Sequence, residues 1–262
     1  MKNAVISFSG GLDSTSLLLH LLYKGHSIYA LSFDYGQKHQ IEIEKACLNI
    51  EYLKLKGFNI NHKILDISDA VKILDSSLTN MKEDIPRGYY KEENMKSTFV
   101  PNRNAIFTSF AYGYALSINK EQNQKIKIAL GVHSGDHDIY PDCRLEFYDK
   151  LFSAFQTGNW DTDNIGIYLP YLEFNKAEII QDAIKACKNL NLNFNKIFQN
   201  TLTSYNPDRN GISNGDTASD IERILAFHEN GIKDPLKYNK SWEEVLENAI
   251  DHENKYNHSN KN

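Results

Sequence analysis

The stretch that most constrains this chain is "NAVISFSGGLDSTSLLLHLLYKG", which starts at Asn3. "NAVISF" (Asn3 to Phe8) is a continuous apolar run, the pattern of a strand buried on both faces. Asp13 to Lys24 carries Leu17, Leu18, Leu21 and Leu22 at helical spacing, and Gly25 stands where a helix C-cap is expected. Between them lie Ser9, Gly10, Gly11, Leu12, Asp13, Ser14 and Thr15. A strand that feeds straight into a helix leaves first-turn N–H groups at the positive end of the helix dipole. Such a turn is a ready anion site, and glycines allow a phosphate to approach the backbone. It is not G-x-x-x-x-G-K-[ST], because no lysine occupies the required place, and it is not G-x-G-x-x-G.

The same alternation continues. "SIYALSFDY" (Ser27 to Tyr35) predicts a second strand, "QIEIEKACLNIEYLKLKG" an amphipathic helix ending at Gly57, and "NINHKILDI" a third strand. A further helix is expected from Pro101 to about Ser117, a fourth strand from Lys125 to Val132, and helices near Leu145–Thr157 and Lys176–Leu190. Repeated strand–helix units predict an α/β fold with a parallel sheet and helices on both faces. Residues 68–98 break the pattern, with Pro86, Gly88 and two adjacent tyrosines, and read as an irregular excursion. After Asn193 turn-formers dominate, so the division expected is a domain over 1–194 and a loop-and-helix unit over 195–262 with a frayed end.

Composition narrows the setting. A net charge of −5 advertises no basic surface for nucleic acid. No apolar stretch approaches the roughly 18 residues of a spanning helix. The start lacks a secretory signal, and three scattered cysteines (Cys47, Cys143, Cys187) cannot form a disulfide framework, so a cytoplasmic setting is expected.

"SGGLDS" resembles the pyrophosphate loop of the N-type ATP pyrophosphatase (PP-loop) superfamily, whose members split ATP between the α and β phosphates. The resemblance narrows with "SFDYGQKH" (Ser32 to His39), "FVPNRNAIFTSFA" (Phe99 to Ala111), "GVHSGDHDIYPDCR" (Gly131 to Arg144), "KAEII" (Lys176 to Ile180) and "NTLTSYNP" (Asn200 to Pro207). Their order and spacing resemble the 7-cyano-7-deazaguanine synthase (QueC) family. That resemblance implies a Rossmann-like PP-loop domain of the adenine nucleotide alpha hydrolase type. It implies ATP and Mg²⁺, and 7-carboxy-7-deazaguanine that is adenylated, converted by ammonia to an amide, then dehydrated to the nitrile with a second ATP.

The residues suit that chemistry. Loop amides and the hydroxyls of Ser9, Ser14 and Thr15 can carry a departing pyrophosphate, each such donor being worth on the order of 3 kcal/mol. Asp13 repels phosphate and makes sense through Mg²⁺ or by orienting the loop. Arg103 offers a fork for phosphate or carboxylate. Leu31 to Phe33 are expected beside the adenine, with Asp34, Tyr35, Gln37 and His39 at the second strand's carboxyl end. Asp142 or Asp138 can accept from the deazaguanine edge, with Tyr140 as a stacking face and His133 and Arg144 in the same loop. Lys176 is read either as reaching a phosphate or as a solvated helix-start lysine. His133 and His137 are read as hydrogen-bonding groups rather than zinc ligands, and Cys143 as packing rather than as a nucleophile.

The family carries four zinc cysteines near the carboxyl end, and here those places hold Ser204, Asn214, Thr217 and Asp220. Neutral oxygens are poor zinc donors, so no zinc is expected. The resemblance also implies a homodimer. Two alternatives stay open at this point: transfer of the activated carboxylate to another amine, such as one on a partner protein in antiviral defence, and a nucleotide-binding pseudoenzyme. A third, tRNA thiolation, would want a reactive cysteine pair and a basic surface, and the sequence shows neither.

Overall fold

A computed structural model describes residues 2–36, 41–74, 99–135, 140–204, 208 and 211–259, the side chains of 256–259 excepted. At its centre is a five-stranded sheet in the order β3-β2-β1-β4-β5, every pairing parallel. The strands are β1 (Lys2–Ser7), β2 (His26–Asp34), β3 (Ile60–Asp66), β4 (Ile126–Ala129) and β5 (Ile165–Tyr168). The helices are α1 (Leu12–Tyr23), α2 (Ile41–Leu55), the short α3 (Ser68–Val71), α4 (Arg103–Gln122), α5 (Leu145–Gly158), α6 (Lys176–Asn189), α7 (Phe194–Phe198), α8 (Ala218–Glu229) and α9 (Trp242–Ser259).

β1 shows why the run "NAVIS" needs no polar alternation. Ala4 and Ile6 point into a core shared with α1 and α6, while Val5 points into another shared with α4. All three are fully buried, as a parallel strand covered on both faces requires. On the first face Leu17, Leu18 and Leu21 of α1 pack with Ile179, Ile180 and Ala183 of α6. Truncating any of these leucines would cost about 2–5 kcal/mol.

The differences from the sequence expectation have local causes. β5 is a four-residue strand containing Gly166, too short to show a period. α4 runs five residues past Ser117 because Ile118 and Asn119 are still buried, and Asn123 in the left-handed region (φ 48°) ends it. The fourth strand stops at Ala129; the Leu130 N–H still reaches the Tyr168 carbonyl at 3.2 Å, and Gly131 and Val132 leave the strand. Of the 68–98 excursion, Ser68–Val71 forms α3 and 75–98 lie outside the described residues. The expected frayed end is helical backbone to Ser259.

The carboxyl-terminal elements share the main core. Ile197, Phe198, Ala226 and Phe227 are buried in the cluster built by α1 and α6, and the 194/195 boundary falls inside α7. Among the described residues no helix is long and apolar enough to cross a membrane.

Candidate active site

β1 pairs with β2 on one side and β4 on the other, so the chain reverses direction across the sheet at β1. Open parallel sheets bind ligands beyond the strand ends at such a reversal. A cavity of about 250 Å³ lies there, lined by Ser7 at the end of β1, Ser9 and Gly11 of the loop, Asp13 and Ser14 of the first turn of α1, Leu130 to Val132 after β4, and Arg103, Asn104, Phe107 and Thr108 from α4. Phe99, Val100, Tyr140, Asp142, Cys143 and Tyr148 complete the wall.

The two loop glycines do different work. Gly10 has φ +81°, and a Cβ there would lie 2.9 Å from both Ala46 Cβ and the Glu42 carbonyl oxygen, so it packs against α2. Gly11 lines the cavity and is the N-cap of α1, with no side-chain cap on that helix. Ser9 Oγ accepts from the Gly11 N–H at 3.2 Å and lies 3.1 Å from Ser14 Oγ, which donates to the Gly11 carbonyl at 3.3 Å. These are long, loose bonds. Gly131 packs against the first turn of α1, where its Cβ would stand 3.4 Å from Asp13 carbonyl atoms.

Behind this wall Lys176 Nζ donates to Asp13 Oδ2 at 2.9 Å and Oδ1 at 3.1 Å, approaches Glu222 Oε2 at 3.3 Å and sits 2.8 Å from His133 Nε2. The Lys176 side chain is 6% exposed, so it is a buried ionic partner of Asp13 and not a solvated lysine. Burial alone would raise the Asp13 carboxyl, but the charges of Lys176 and His133 outweigh it and hold Asp13 below the usual carboxylate range. His133 Nδ1 lies 3.1 Å from the Gly135 backbone nitrogen.

Several expected contacts sit elsewhere. Leu12 and Thr15 are fully buried, and neither they nor Gly10 line the cavity. Phe33 lies one layer back, its ring stacked on Phe107 at 4.1 Å, and Phe107 is the ring that faces the space. Asp34 accepts from the Gly36 N–H at 3.1 Å, and Tyr35 lies under the Arg103 guanidinium at 5.9 Å. Arg144 is exposed, is the N-cap residue of α5 and does not line the cavity. Arg103, Tyr140 and Asp142 do line it, as does Cys143, whose Sγ lies 3.6 Å from Asn104 Nδ2. Gln37, His39, His137 and Asp138 fall outside the described residues.

Two groups carried no sequence signal. Glu42 looks like any residue on a polar helix face, yet burial pushes its carboxyl up to about 7 against the pull of Arg103 and Lys45. Glu222 reaches Lys176 from α8 and looked equally ordinary. Asn104, Phe107 and Thr108, by contrast, lay within the stretch from Phe99 to Ala111 and were findable there.

The degenerate zinc places close on one another. Ser204 and Thr217 hydroxyls donate to Asp220 Oδ2 at 2.8 and 2.6 Å, and Thr217 and Asp220 form the capping box of α8. Asn214 instead accepts from Asn239 at 2.9 Å. Burial raises the Asp220 carboxyl, with Thr217, Ser204 and Ser213 pulling it back. One carboxylate whose Oδ2 is already used by hydroxyl protons does not fit zinc. Next to it Arg223, fully buried, makes a two-pronged pair with Asp234 at 2.6 and 2.9 Å and donates to Thr201 and Thr203.

A protein-family model described as queuosine biosynthesis protein QueC matches residues 3–231. A 7-cyano-7-deazaguanine synthase from Psychromonas ingrahamii is 40% identical over 238 residues, covering 90% of this chain and 98% of its own. One from Pseudoalteromonas translucida is 40% identical over 237 residues, covering 90% and 99%. Among solved structures, NMN synthetase from Francisella tularensis is 18% identical with a TM-score of 0.42, over 97% of this chain and 85% of that one.

Proposed function

Since the chain belongs to the QueC family, we propose that it is an ATP-dependent, adenylate-forming carbon–nitrogen ligase that makes 7-cyano-7-deazaguanine from 7-carboxy-7-deazaguanine and ammonia. The observation that carries this reading is the cavity beyond the ends of β1 and β4, where a phosphate cradle shares one space with groups suited to a purine-like base.

The substrate carboxylate oxygen attacks the α phosphorus of ATP and pyrophosphate leaves, giving the acyl adenylate. Ammonia attacks the acyl carbon, loses a proton, and AMP departs with the former carboxylate oxygen, leaving the amide. A second ATP adenylates the amide oxygen with loss of pyrophosphate and one N–H proton, and departure of AMP with loss of the second N–H proton gives the nitrile. Gly11 and the first-turn amides of α1, with Ser9 and Ser14, hold the pyrophosphate. Arg103 balances charge at the reacting phosphate or carboxylate. Asp142 accepts from the pyrimidine edge and Tyr140 covers the ring, while Phe107 offers the aromatic face expected earlier of Phe33. Mg²⁺ arriving with ATP offsets phosphate charge, and Asp13, 24% exposed at the cavity wall, is the carboxylate nearest the loop to serve it.

The reading includes a homodimer, open to light scattering, and a carboxyl-terminal unit without zinc. Chelation is expected to leave the melting temperature unchanged, with metal analysis finding zinc well below one per chain. Labelled pyrophosphate exchange tests the chemistry: label enters ATP only when 7-carboxy-7-deazaguanine is present. Exchange without that substrate, or none with it, would overturn the reading.

A further inference from the structure

Lys176 opens α6 under a capping box in which Asn175 and Glu178 satisfy each other's backbone, so its helix is held without help from the lysine. Its ammonium nevertheless gathers two carboxylates, Asp13 from α1 and Glu222 from α8. One carboxylate would suffice to offset a buried ammonium. The second adds an anchor from a different part of the chain. Asp13 stands on the first turn of α1, beside loop bonds of 3.1 to 3.3 Å that hold it loosely. Glu222 stands on a helix locked by the Thr217–Asp220 capping box and by the buried Arg223–Asp234 pair at the next residue.

The β4 wall closes over the same group. A Cβ at Gly135 would lie 2.9 Å from Glu222 Oε1 and 3.0 Å from His133 Cε1, so the backbone there runs directly across both. Four segments thus meet at Lys176: the loop helix, the end of β4, the start of α6 and α8. Two of them, the loop helix and the segment after β4, line the cavity.

We propose that Glu222 is a positioning residue of the ATP site: it holds the Lys176 ammonium against Asp13 and so fixes the phosphate loop relative to the β4 wall. This rests on the adenylation reading above. The carboxyl-terminal unit then sets the geometry of a reaction it does not touch. Misplacement of a reacting group by a fraction of an ångström is felt in the transition state far more than in ground-state binding.

The test compares Glu222→Gln, which keeps shape and loses charge, with Glu222→Asp, which keeps charge and shortens the arm. Glu222→Gln is expected to slow substrate-dependent AMP formation at saturating ATP about tenfold. The KM for ATP should stay within about twofold. Glu222→Asp should recover most of the rate. Melting temperatures are read alongside, so a loss of rate that merely follows a loss of fold is recognised and counts against the proposal. Wild-type rate in Glu222→Gln, a rise in KM alone, or an equal loss in Glu222→Asp would overturn it. Should Glu222→Gln not fold, Glu222→Asp decides alone, with near-wild-type rate expected and a tenfold loss contradicting. No AMP from the wild-type protein would remove the adenylation reading and this inference together.

Discussion

The phosphate loop and the cluster around Asp220 are built from the same residue types, serines, a threonine and an aspartate at a helix start, and they end in opposite states. In the loop the hydroxyls of Ser9 and Ser14 meet each other and Gly11 at 3.1 to 3.3 Å, and both side chains face a cavity. Around Asp220 the hydroxyls of Ser204 and Thr217 reach the carboxylate at 2.8 and 2.6 Å, and all three residues are essentially without solvent contact. A polar cluster whose hydroxyl donors converge on one buried carboxylate oxygen serves the fold. One whose bonds are long and whose donors face a cavity is left with capacity for a ligand. The aspartates follow suit: Lys176 and His133 hold Asp13 low, whereas burial outweighs the hydroxyl hydrogen bonds and raises Asp220.

The largest test of that contrast lies beside the closed cluster. Arg223→Met leaves Asp234 buried without its cation and should cost about 3–5 kcal/mol by denaturant unfolding. A small loss would mean that the carboxyl-terminal unit is held by its apolar contacts alone. On the open side, Ser14→Ala should slow AMP formation about 10²–10³-fold, roughly 2.7–4 kcal/mol of barrier, and leave stability within error. A stability loss there without a rate loss would erase the distinction. Ser204→Ala removes one donor from Asp220 and should cost about 1–3 kcal/mol of stability with little change in rate.

The smallest effect concerns Glu42 behind Gly10. Its carboxyl is raised from 4.5 to about 7, so between those values the folded chain holds a proton that the unfolded chain has released. Its contribution to stability is therefore full below the lower value and is lost as pH rises through the upper one. The difference in melting temperature between wild type and Glu42→Gln should shift in the variant's favour across that window. A pH-independent difference would place Glu42 in water.

How much of this could be seen in the sequence differs by region for physical reasons. The loop, the flanking strand and α1 were legible because their signals are local: an apolar run, glycines, then leucines at helical spacing. The Lys176–Asp13 pair spans 163 residues of sequence, and no local pattern marks it. Thr15 looked like a ligand hydroxyl beside Ser14, yet one residue further round the helix its side chain turns into the core. Phe33 was placed by its strand, but the adjacent α4 supplies Phe107 across its face. β5 failed to register because four residues with a glycine carry too little periodicity. The closed cluster was half legible: the replaced cysteines announced that zinc ligands were missing, while the capping box that joins Thr217 to Asp220 emerges only once the helix start is known.

The most direct measurement is mass spectrometry of the products formed when the purified, zinc-depleted protein meets ATP, Mg²⁺, 7-carboxy-7-deazaguanine and ammonium. The account predicts AMP and pyrophosphate together with 7-cyano-7-deazaguanine, two AMP for each nitrile. ADP as the nucleotide product, or no AMP at all, would contradict it.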